Sequence, residues 1–469
     1  MMRLVFSSLT FLLLFLPVTV GLYFLSSKIR WKNTVLLAAS LVFYAWGEPL
    51  WVFGLIGLTA LVWVASAGVA KARAAWGRAL WLALGVAGPM AALVYVKYGA
   101  FLLKPLLGLM HVELAPVRMP LGVSFFTFQI VTYVVDVYRK PSLYQKNPLD
   151  LLLYVSCFPQ LVAGPIVRYQ DVAAEMNGRA TSMEDFTCGM KRFACGLGKK
   201  VLLANICGKI VSDVLSNQAL YGMSVAGGWY MAALYSLQIY FDFSGYSDMA
   251  IGMGRIFGFH YAENFNYPYM SRSVAEFWRR WHISLGTFFR EYLYIPMGGN
   301  RCSKPRQLFN LLVVWGLTGL WHGASLNFVL WGLYFFALLA LERFVLKPIL
   351  PRLPAFLRGL GTYALVLVGW VIFSFTDTAE MAAYLQSLVG IGPNGALPLI
   401  TPELWIVLNQ YSWYPLLAFA AAFPLARAIR TDVLQRLEPL HTLWLTAVFA
   451  ASVLMIVGQS YNPFIYFRF

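Results

Sequence analysis

Charged residues are scarce in this chain of 469 residues. Asp, Glu, Lys and Arg together make up 12% of it, hydrophobic residues make up 60%, and the mean hydropathy is +0.66. Soluble globular domains are about one quarter charged. The composition therefore excludes an ordinary soluble domain and indicates a protein that crosses a membrane several times.

Long stretches of the chain contain no charged residue at all, and a helix needs about 20 such residues to span a bilayer. With the shorter apolar runs between them, they predict an all-α polytopic membrane protein with roughly 11 to 13 transmembrane or re-entrant helices. No low-complexity linker interrupts the pattern, which favours a single membrane-embedded domain over residues 1–469. The charge-free runs lie at 5–25, 50–70, 79–96, 311–341, 359–376 and 443–467.

Negative charge is scarcer than positive charge. The chain has 36 Lys and Arg against 20 Asp and Glu, a formal net charge of +16. In a membrane protein the positive-inside rule explains such an excess, so the expected partner is the lipid bilayer and not a nucleic acid. The first apolar run is too long for a signal peptide and lacks an A-x-A-like site, so we expect a retained first helix.

Motifs for metal binding and for a protein nucleophile are missing. The five cysteines are odd in number and show no C-x-x-C spacing, and no His/Asp/Glu cluster has ligand spacing, so we expect neither a disulfide framework nor a metal site. Neither a G-x-S-x-G elbow nor a Gly-rich phosphate fingerprint occurs. In an acyl transfer, the attacking hydroxyl would therefore belong to the acceptor.

Residues 240–306, in the middle of the chain, are dense in Arg, aromatic and turn residues, and we expect their apolar pattern to be too interrupted for ordinary spanning helices. Irregular backbone at membrane depth survives only where it is buried in protein or lines a water-filled cavity, so we expect a site here. Within this region EFWRRWHISLGTFFREYLYIPMGGNR (276–301) has apolar residues at spacings of three and four. This spacing predicts one amphipathic helix at the membrane surface, ended by Gly298 and Gly299. An interfacial helix without a catalytic role is the alternative.

His322 lies in the middle of a charge-free run. On a helix, Thr318, Gly319 and Ser325 would share its face and leave space beside the imidazole. A histidine with a pKa of about 6.5 can take a proton from a hydroxyl as a general base. The alternative is a structural hydrogen bond across a helix interface.

The other histidines differ in their surroundings. His282 would lie at the border between the apolar and basic faces of the amphipathic helix. His111 and His441 are near segment ends and His260 is in a loop-like stretch, so we assign these three no direct role.

Two carboxylates, Asp242 and Asp248, interrupt the apolar stretch YFDFSGYSDMAIGMG. We expect them to be structural, with hydrogen bonds to Ser244, Tyr246, Ser247 or backbone. A proton relay or a substrate contact is the alternative.

Four motifs together resemble the membrane-bound O-acyltransferase family: FDFSGYSDMAIG, ENFNYPY, the 276–301 segment and GLWHGASLNFVLWG. The match is closest to its bacterial polysaccharide branch, which acetylates alginate and cellulose. VFSSLTFLLLFLPV, PLGVSFFTFQ, FPQLVAGPIVR and the terminal FIYFRF also resemble that branch, so the likeness covers most of the chain in order.

The resemblance implies a ring of helices around a central tunnel, with the catalytic core around 226–345. His322 in GLWHGA matches the catalytic histidine, which would act as general base or carry the acetyl group transiently. His282 in RRWHISL matches the second active-site position, which would orient the acyl group or stabilise the oxyanion. Tunnel-lining or supporting roles would fall to Asp242, Asp248, Trp278, Trp281, Thr318 and Ser325, and donor binding to Arg279, Arg280 and Arg290.

The implied activity is transfer of an acetyl group from acetyl-CoA, as a substrate and not a bound cofactor, across the bacterial inner membrane. The acceptor would be an exported polysaccharide such as alginate or cellulose. The implied partners are a periplasmic or membrane-anchored esterase-like O-acetyltransferase and other polysaccharide-export components.

Two other functions stay open at this point. The basic stretch 272–306 fits the CoA phosphates or an acidic carrier protein, so acyl transfer from a carrier protein to teichoic acid, lipid or protein is an alternative. A proton-coupled transporter is a more remote one, because transporters often show inverted repeats or paired broken helices and none is evident in the sequence.

Overall fold

The protein is largely helical in the computed structural model, which describes residues 4–108, 119–162, 164–216, 224–411, 413–424, 437–458 and 464–465. Strand structure within these ranges is limited to β1 (Ile391–Gly392) and β2 (Gly395–Ala396), an antiparallel pair with Ile391 opposite Ala396. The predicted all-α class is confirmed.

The α-helices of the described residues are numbered here in chain order. They are α1 (Leu16–Phe24), α2 (Ile29–Gly47), α3 (Trp51–Lys71), α4 (Ala75–Gly108), α5 (Val123–Arg139), α6 (Pro148–Ser156), α7 (Phe158–Leu161), α8 (Tyr169–Asn177), α9 (Met183–Gly198), α10 (Asn205–Ser216), α11 (Val225–Ile256), α12 (Val274–Arg280), α13 (Ile283–Phe289), α14 (Lys304–His322), α15 (Leu326–Leu341), α16 (Ala355–Ser374), α17 (Thr378–Ser387), α18 (Pro402–Gln410), α19 (Tyr414–Ala421) and α20 (Glu438–Gly458).

Short helical segments of other kinds adjoin these helices. The π-helical segments are Phe11–Phe15, Lys199–Ala204, Arg290–Tyr294 and Glu342–Leu346, and the 3₁₀ turns are Pro141–Leu143, Pro268–Met270 and Leu350–Arg352.

Within the described ranges, five helical segments are long and apolar enough to cross a membrane. They are Trp51–Lys71, Ala75–Gly99, Leu326–Leu346, Ala355–Ser374 and Glu438–Gly458. They overlap charge-free runs found in the sequence, and the chain is a multi-pass membrane protein. The total of 11 to 13 segments and their arrangement as a ring around a tunnel stay predictions.

The chain groups into two compact units, and the single-domain interpretation stays a prediction. Unit 1 holds residues 1–196 and 246–263, and unit 2 holds 197–245 and 264–469. Unit 1 has an aromatic core in which Phe15 meets Phe158 edge-on, with ring centroids 5.3 Å apart. Its buried Asp248 pairs with Arg192 at 2.6 Å.

Unit 2 contains a tight antiparallel helix pair, α14 and α15. Gly319 and Gly332 lie where the backbones meet: a Cβ on Gly319 would come 2.4 Å from the carbonyl oxygen of Phe328, and one on Gly332 would come 2.5 Å from that of Trp315. Only glycine allows this approach. The contact fixes the end of α14, where His322 lies.

Helix α11 corrects one sequence-based expectation. Residues 240–256 were expected to be interrupted, but they belong to one continuous helix, Val225–Ile256. The reason lies in the two aspartates, whose charges are compensated: Asp242 pairs with Lys200 and Asp248 with Arg192, each at 2.6 Å. A helix accommodates buried carboxylates when cations pair with them.

Candidate active site

The helix predicted over 276–301 breaks at His282, so the single amphipathic helix was wrong. Helix α12 ends at Arg280 and α13 begins at Ile283. Between them His282 has φ 45° and ψ 56°, the left-handed conformation. The hydrogen-bonding requirement of the backbone explains why the break is tolerated: Asn266 N–H donates to the Arg280 carbonyl and Ile283 N–H to the Asn264 carbonyl, both at 2.9 Å.

The start of α12 is fixed by its own sequence and by α15. Ser273 caps the helix by accepting from Glu276 N–H at 3.1 Å, and the Glu276 carboxylate accepts from the N–H of Arg272, the residue before the cap, at 2.9 Å. Glu342, just after α15, accepts from Val274 N–H at 2.7 Å. These contacts hold α12 in place, and with it the orientation of the break at His282.

His282 is 3% exposed and is held by a polar partner on one edge. Its Nδ1 lies 3.1 Å from Oδ1 of Asn264, which is fully buried. The ring of Phe243 packs edge-on against the imidazole, with 4.7 Å between centroids. Burial lowers the pKa of His282 to about 3, so the ring is neutral at physiological pH.

His322 is the last residue of α14, not the middle of a long helix. The run 311–341 therefore forms two helices, and the expectation that Ser325 shares the helical face of His322 was wrong, because Ser325 is the residue before α15. The imidazole is 7% exposed. Trp321, Trp331 and Phe373 surround it, with ring centroids at 4.9, 5.0 and 5.0 Å.

One cavity of about 540 Å³ in unit 2 has both histidines in its wall. Trp278, Trp281 and Thr318, also singled out in the sequence, line it too. The indole of Trp321 lies near both imidazoles, with centroids 6.3 Å from that of His282 and 4.9 Å from that of His322. Two imidazole rings thus face one cavity that has many aromatic side chains in its wall.

The same cavity has a basic part. Arg279, Arg290 and Arg343 line it, and none of its described lining residues is Asp or Glu. Arg343 donates to three neutral oxygens, those of Tyr294, Asn300 and Gln307, at 3.0, 2.9 and 2.6 Å. Neutral partners orient the guanidinium without cancelling its charge, which suits an anionic ligand.

Four residues of the predicted site lie outside the cavity lining. Arg280 pairs with Glu276 at 2.9 Å. Asp242 accepts from Ile465 N–H at 2.7 Å in addition to its bond to Lys200. Asp248 belongs to unit 1 and Ser325 stands at the start of α15. Tunnel-lining or donor-binding roles for these four stay predictions.

The remaining histidines lie where the sequence suggested. His260 is in a loop of unit 1, half-exposed, with Nδ1 2.8 Å from Glu175 Oε1. His441 is exposed in the first turn of α20. His111 lies outside the described residues.

Sequence reasoning missed Asn264, Trp331 and Arg343. Asn264 lies in the quoted motif ENFNYPY and Trp331 in GLWHGASLNFVLWG, but no helical spacing relates them to the histidines they meet. Arg343 follows an apolar helix and reads as an end-of-helix cation by the positive-inside rule. These residues reach the site through tertiary packing, which spacing in the sequence does not indicate.

A largely helical, multi-pass fold with two buried imidazoles in the wall of one basic-edged cavity defines an integral membrane protein with an internal candidate site. The sequence profile described as "MBOAT, membrane-bound O-acyltransferase family" matches residues 95–377, more than half of the chain. The chain belongs to the membrane-bound O-acyltransferase family and is an acyltransferase.

Named relatives extend over most of the chain. It is 37% identical to the "probable alginate O-acetylase" of Pseudomonas aeruginosa, with 99% of this chain and 100% of the relative covered. It is 32% identical to the peptidoglycan O-acetyltransferase of Helicobacter pylori, over 83% and 80%. It is 29% identical to the teichoic acid D-alanyltransferase of Bacillus subtilis, over 54% and 68%.

Proposed function

We propose that this acyltransferase moves acetyl groups from cytoplasmic acetyl-CoA across the bacterial inner membrane for O-acetylation of an exported polysaccharide such as alginate or cellulose. The names of the alginate and peptidoglycan relatives support acetyl transfer to a glycan. The observation that carries the proposal is that His282, His322 and three arginines lie in the wall of the same cavity.

The proposed reaction is a thioester-to-hydroxyl transfer. The hydroxyl oxygen of the acceptor attacks the thioester carbonyl carbon, a C–O bond forms and the C–S bond breaks. His322 takes the hydroxyl proton as general base and returns it to the departing CoA thiolate. Atoms balance without a further reactant, and a transient acetyl-histidine is the two-step version of the same exchange.

The surroundings of His322 suit this role. Its aromatic neighbours Trp321, Trp331 and Phe373 keep it 7% exposed. Exclusion of water limits wasteful hydrolysis of the thioester. It also strengthens the electrostatic interactions inside the site.

The arginines suit the donor. A CoA molecule carries phosphates, and Arg binds phosphate through paired N–H donors. We propose that Arg279, Arg290 and Arg343 attract this end of acetyl-CoA while the thioester reaches the histidines. In this proposal acetyl-CoA is a substrate, and no bound cofactor is needed.

A partner completes the proposed pathway. Acetyl-CoA is cytoplasmic and the polysaccharide is outside, so only the acetyl group needs to cross. We propose that a periplasmic or membrane-anchored esterase-like O-acetyltransferase, together with polysaccharide-export components, receives it.

The choice of acyl donor distinguishes this proposal from carrier-dependent acyl transfer and from a transporter. Purified protein in proteoliposomes loaded with alginate as the hydroxyl acceptor would be given acetyl-CoA or an acyl-loaded carrier protein, with release of the thiol as the readout. We expect thiol release from acetyl-CoA, and an increase in KM for Arg343→Gln with kcat little changed. Arg352→Gln, outside the cavity lining, is the matched control and should behave as wild type.

Two other results of this experiment would favour a different function. Thiol release only from the loaded carrier protein would favour the D-alanyl type of transfer. Proton or solute flux without thioester cleavage would favour a transporter. Either result overturns the acetyl-CoA proposal.

A further inference from the structure

Asn264 makes a set of contacts that determines which nitrogen of His282 carries the proton. Its Oδ1 faces three groups: the backbone N–H of Ser284 at 3.2 Å, the Ser284 hydroxyl at 2.9 Å and Nδ1 of His282 at 3.1 Å. A backbone N–H can only donate, so the Asn264 atom that faces it is the oxygen and not the amide nitrogen.

The carbonyl oxygen of an amide can only accept. A hydrogen bond between it and Nδ1 of His282 therefore requires a proton on Nδ1. The hydroxyl of Ser284, 3.4 Å from Nδ1, fits the same assignment, since its proton points to Asn264 and its lone pairs are left for Nδ1–H. Because one nitrogen of a neutral imidazole is protonated, Nε2 carries the lone pair.

We propose that Asn264 is a positioning residue that fixes His282 as the Nδ1–H tautomer, so that Nε2 acts as a hydrogen-bond acceptor toward the substrates of the proposed acetyl transfer. Burial also favours a neutral His282 ring, because it lowers the pKa of the imidazole.

This assignment changes the role expected for His282. A neutral Nδ1–H tautomer cannot donate from Nε2, so it cannot stabilise an oxyanion through that nitrogen. It can accept a hydrogen bond from the acceptor hydroxyl or from an amide N–H of the donor's pantetheine arm. His282 would then orient a reactant beside His322, and the oxyanion would need another donor.

The direct test reads the tautomer and does not depend on the acyl donor. Solid-state NMR of protein labelled with ¹⁵N-histidine reports the protonated nitrogen of each ring, and the His282 signals are assigned by their loss in His282→Ala. We expect a neutral Nδ1–H ring that changes in Asn264→Leu. A ring protonated on Nε2 in the wild type would overturn the proposal even if thioester cleavage is normal.

A pH profile tests the consequence for activity. Asn264→Asp keeps an acceptor for Nδ1–H but places a carboxylate beside the ring, which raises the pKa of His282. We expect this variant to be active at high pH and to lose activity at a higher pH than wild type as the solution is acidified. Asn264→Leu should lose about 10²-fold or more at every pH.

Ser284→Ala provides the matched control. It removes the hydroxyl that lies 3.4 Å from Nδ1 and leaves the 3.1 Å bond between Nδ1 and Asn264 Oδ1, so we expect a clearly smaller loss of activity than in Asn264→Leu and an unchanged pH profile. Equal losses in Ser284→Ala and both Asn264 variants, with profiles of one shape, would mean that the cluster is only structural. The other titratable or charged groups that line the cavity are common to all variants: His322, Tyr294, Arg279, Arg290 and Arg343.

A second, independent observation concerns Trp331. It is 1% exposed and lines the cavity, its ring is 5.0 Å from that of His322, and its Nε1 has no hydrogen-bond partner within the described part of the chain. Trp278 and Trp370 line the same cavity with an Nε1 in the same condition, and the ring contact with His322 distinguishes Trp331. Buried N–H groups are nearly always satisfied, so a ligand atom is the natural partner of Trp331 Nε1–H. We infer that Trp331 Nε1–H donates to the acyl carbonyl oxygen and to the oxyanion that develops from it.

Replacing only the N–H tests this inference. Incorporation of benzothienylalanine at position 331 keeps the size of the ring and removes the donor. We expect kcat to fall by about 10²- to 10³-fold with little change in KM and normal folding. Trp229→Phe is the control, because Trp229 Nε1–H donates to the Leu388 carbonyl at 3.0 Å outside the cavity lining. Activity within threefold of wild type in a folded benzothienylalanine protein would overturn the role.

Discussion

The imidazole of His322 stands edge-on to the indole of Trp331, with ring centroids 5.0 Å apart and planes at 84°. The two residues belong to different helices, α14 and α15, so their relationship depends on how closely these helices approach. The helices meet at Gly319 and Gly332, where no side chain separates the backbones. Backbone contact thus determines the geometry of the proposed chemistry.

Glycine at this contact should be essential for stability. A Cβ at position 332 would lie 2.5 Å from the Trp315 carbonyl oxygen, so we expect Gly332→Ala to push the helices apart, to lower the melting temperature and to reduce activity. Gly316→Ala is the matched control in α14, because a Cβ there meets nothing within 4 Å. Melting followed by fluorescence-detected size exclusion compares the two. Equal melting temperatures would contradict the steric argument.

Because His282 has a left-handed backbone conformation, substitutions at this position should affect stability and activity differently. A non-glycine residue in this conformation costs about 1 to 2 kcal/mol, and glycine adopts it freely. We expect His282→Gly to melt at a higher temperature than His282→Ala, while both lose most of their activity because the imidazole is gone. A lower melting temperature for the glycine variant would show that the backbone at 282 is not strained.

The pH dependence of stability should carry a contribution from His282. Burial lowers its pKa in the folded protein to about 3, while the unfolded ring titrates at about 6.5. Between these values the unfolded state binds more protons, so this contribution is complete above about pH 6.5 and is lost as pH falls toward 3. We expect His282→Phe, which cannot titrate, to lose less stability than wild type between pH 7 and pH 5. Equal decreases in the melting temperatures of wild type and His282→Phe between pH 7 and pH 5 would contradict this.

The ion pair of Asp242 with Lys200 should be a structural element of unit 2. The two charged atoms are 2.6 Å apart, and each side chain is 3% exposed. Removing one partner leaves the other charge buried, which costs about 3 to 5 kcal/mol, so Asp242→Asn and Lys200→Met should each express poorly as folded protein.

The double variant Asp242→Leu with Lys200→Met distinguishes structure from chemistry. Replacement of a buried pair by apolar residues is often neutral, so we expect folding and activity to recover together. Recovery of folding without activity would instead support a chemical role for Asp242.

Much of the fold could be predicted from hydropathy. The apolar runs at 50–70, 79–96 and 359–376 correspond to α3, α4 and α16, because long helices in lipid are determined by local composition. The run at 311–341 was different: its hydropathy is continuous, but α14 ends at His322. Hydropathy alone does not indicate the turn between α14 and α15, which depends on how the two helices pack.

The site could be predicted only in part. His282 and His322 followed from resemblance to family motifs, and the structure places both in one cavity. The break at His282 could not be predicted, because it depends on backbone bonds to Asn264 and Asn266, and helical spacing over 276–301 ignores them. Arg343 reaches the cavity from the end of α15, which no spacing in the sequence indicates.

The most direct measurement of the central proposal is acetyl transfer from radiolabelled acetyl-CoA by purified wild type and His322→Ala, with matched folding confirmed by size exclusion and melting. His441→Ala, on an exposed histidine, controls for histidine loss. We expect thioester cleavage to fall by about 10²- to 10⁴-fold in His322→Ala and to stay normal in His441→Ala. Unchanged cleavage in folded His322→Ala would contradict a chemical role for His322.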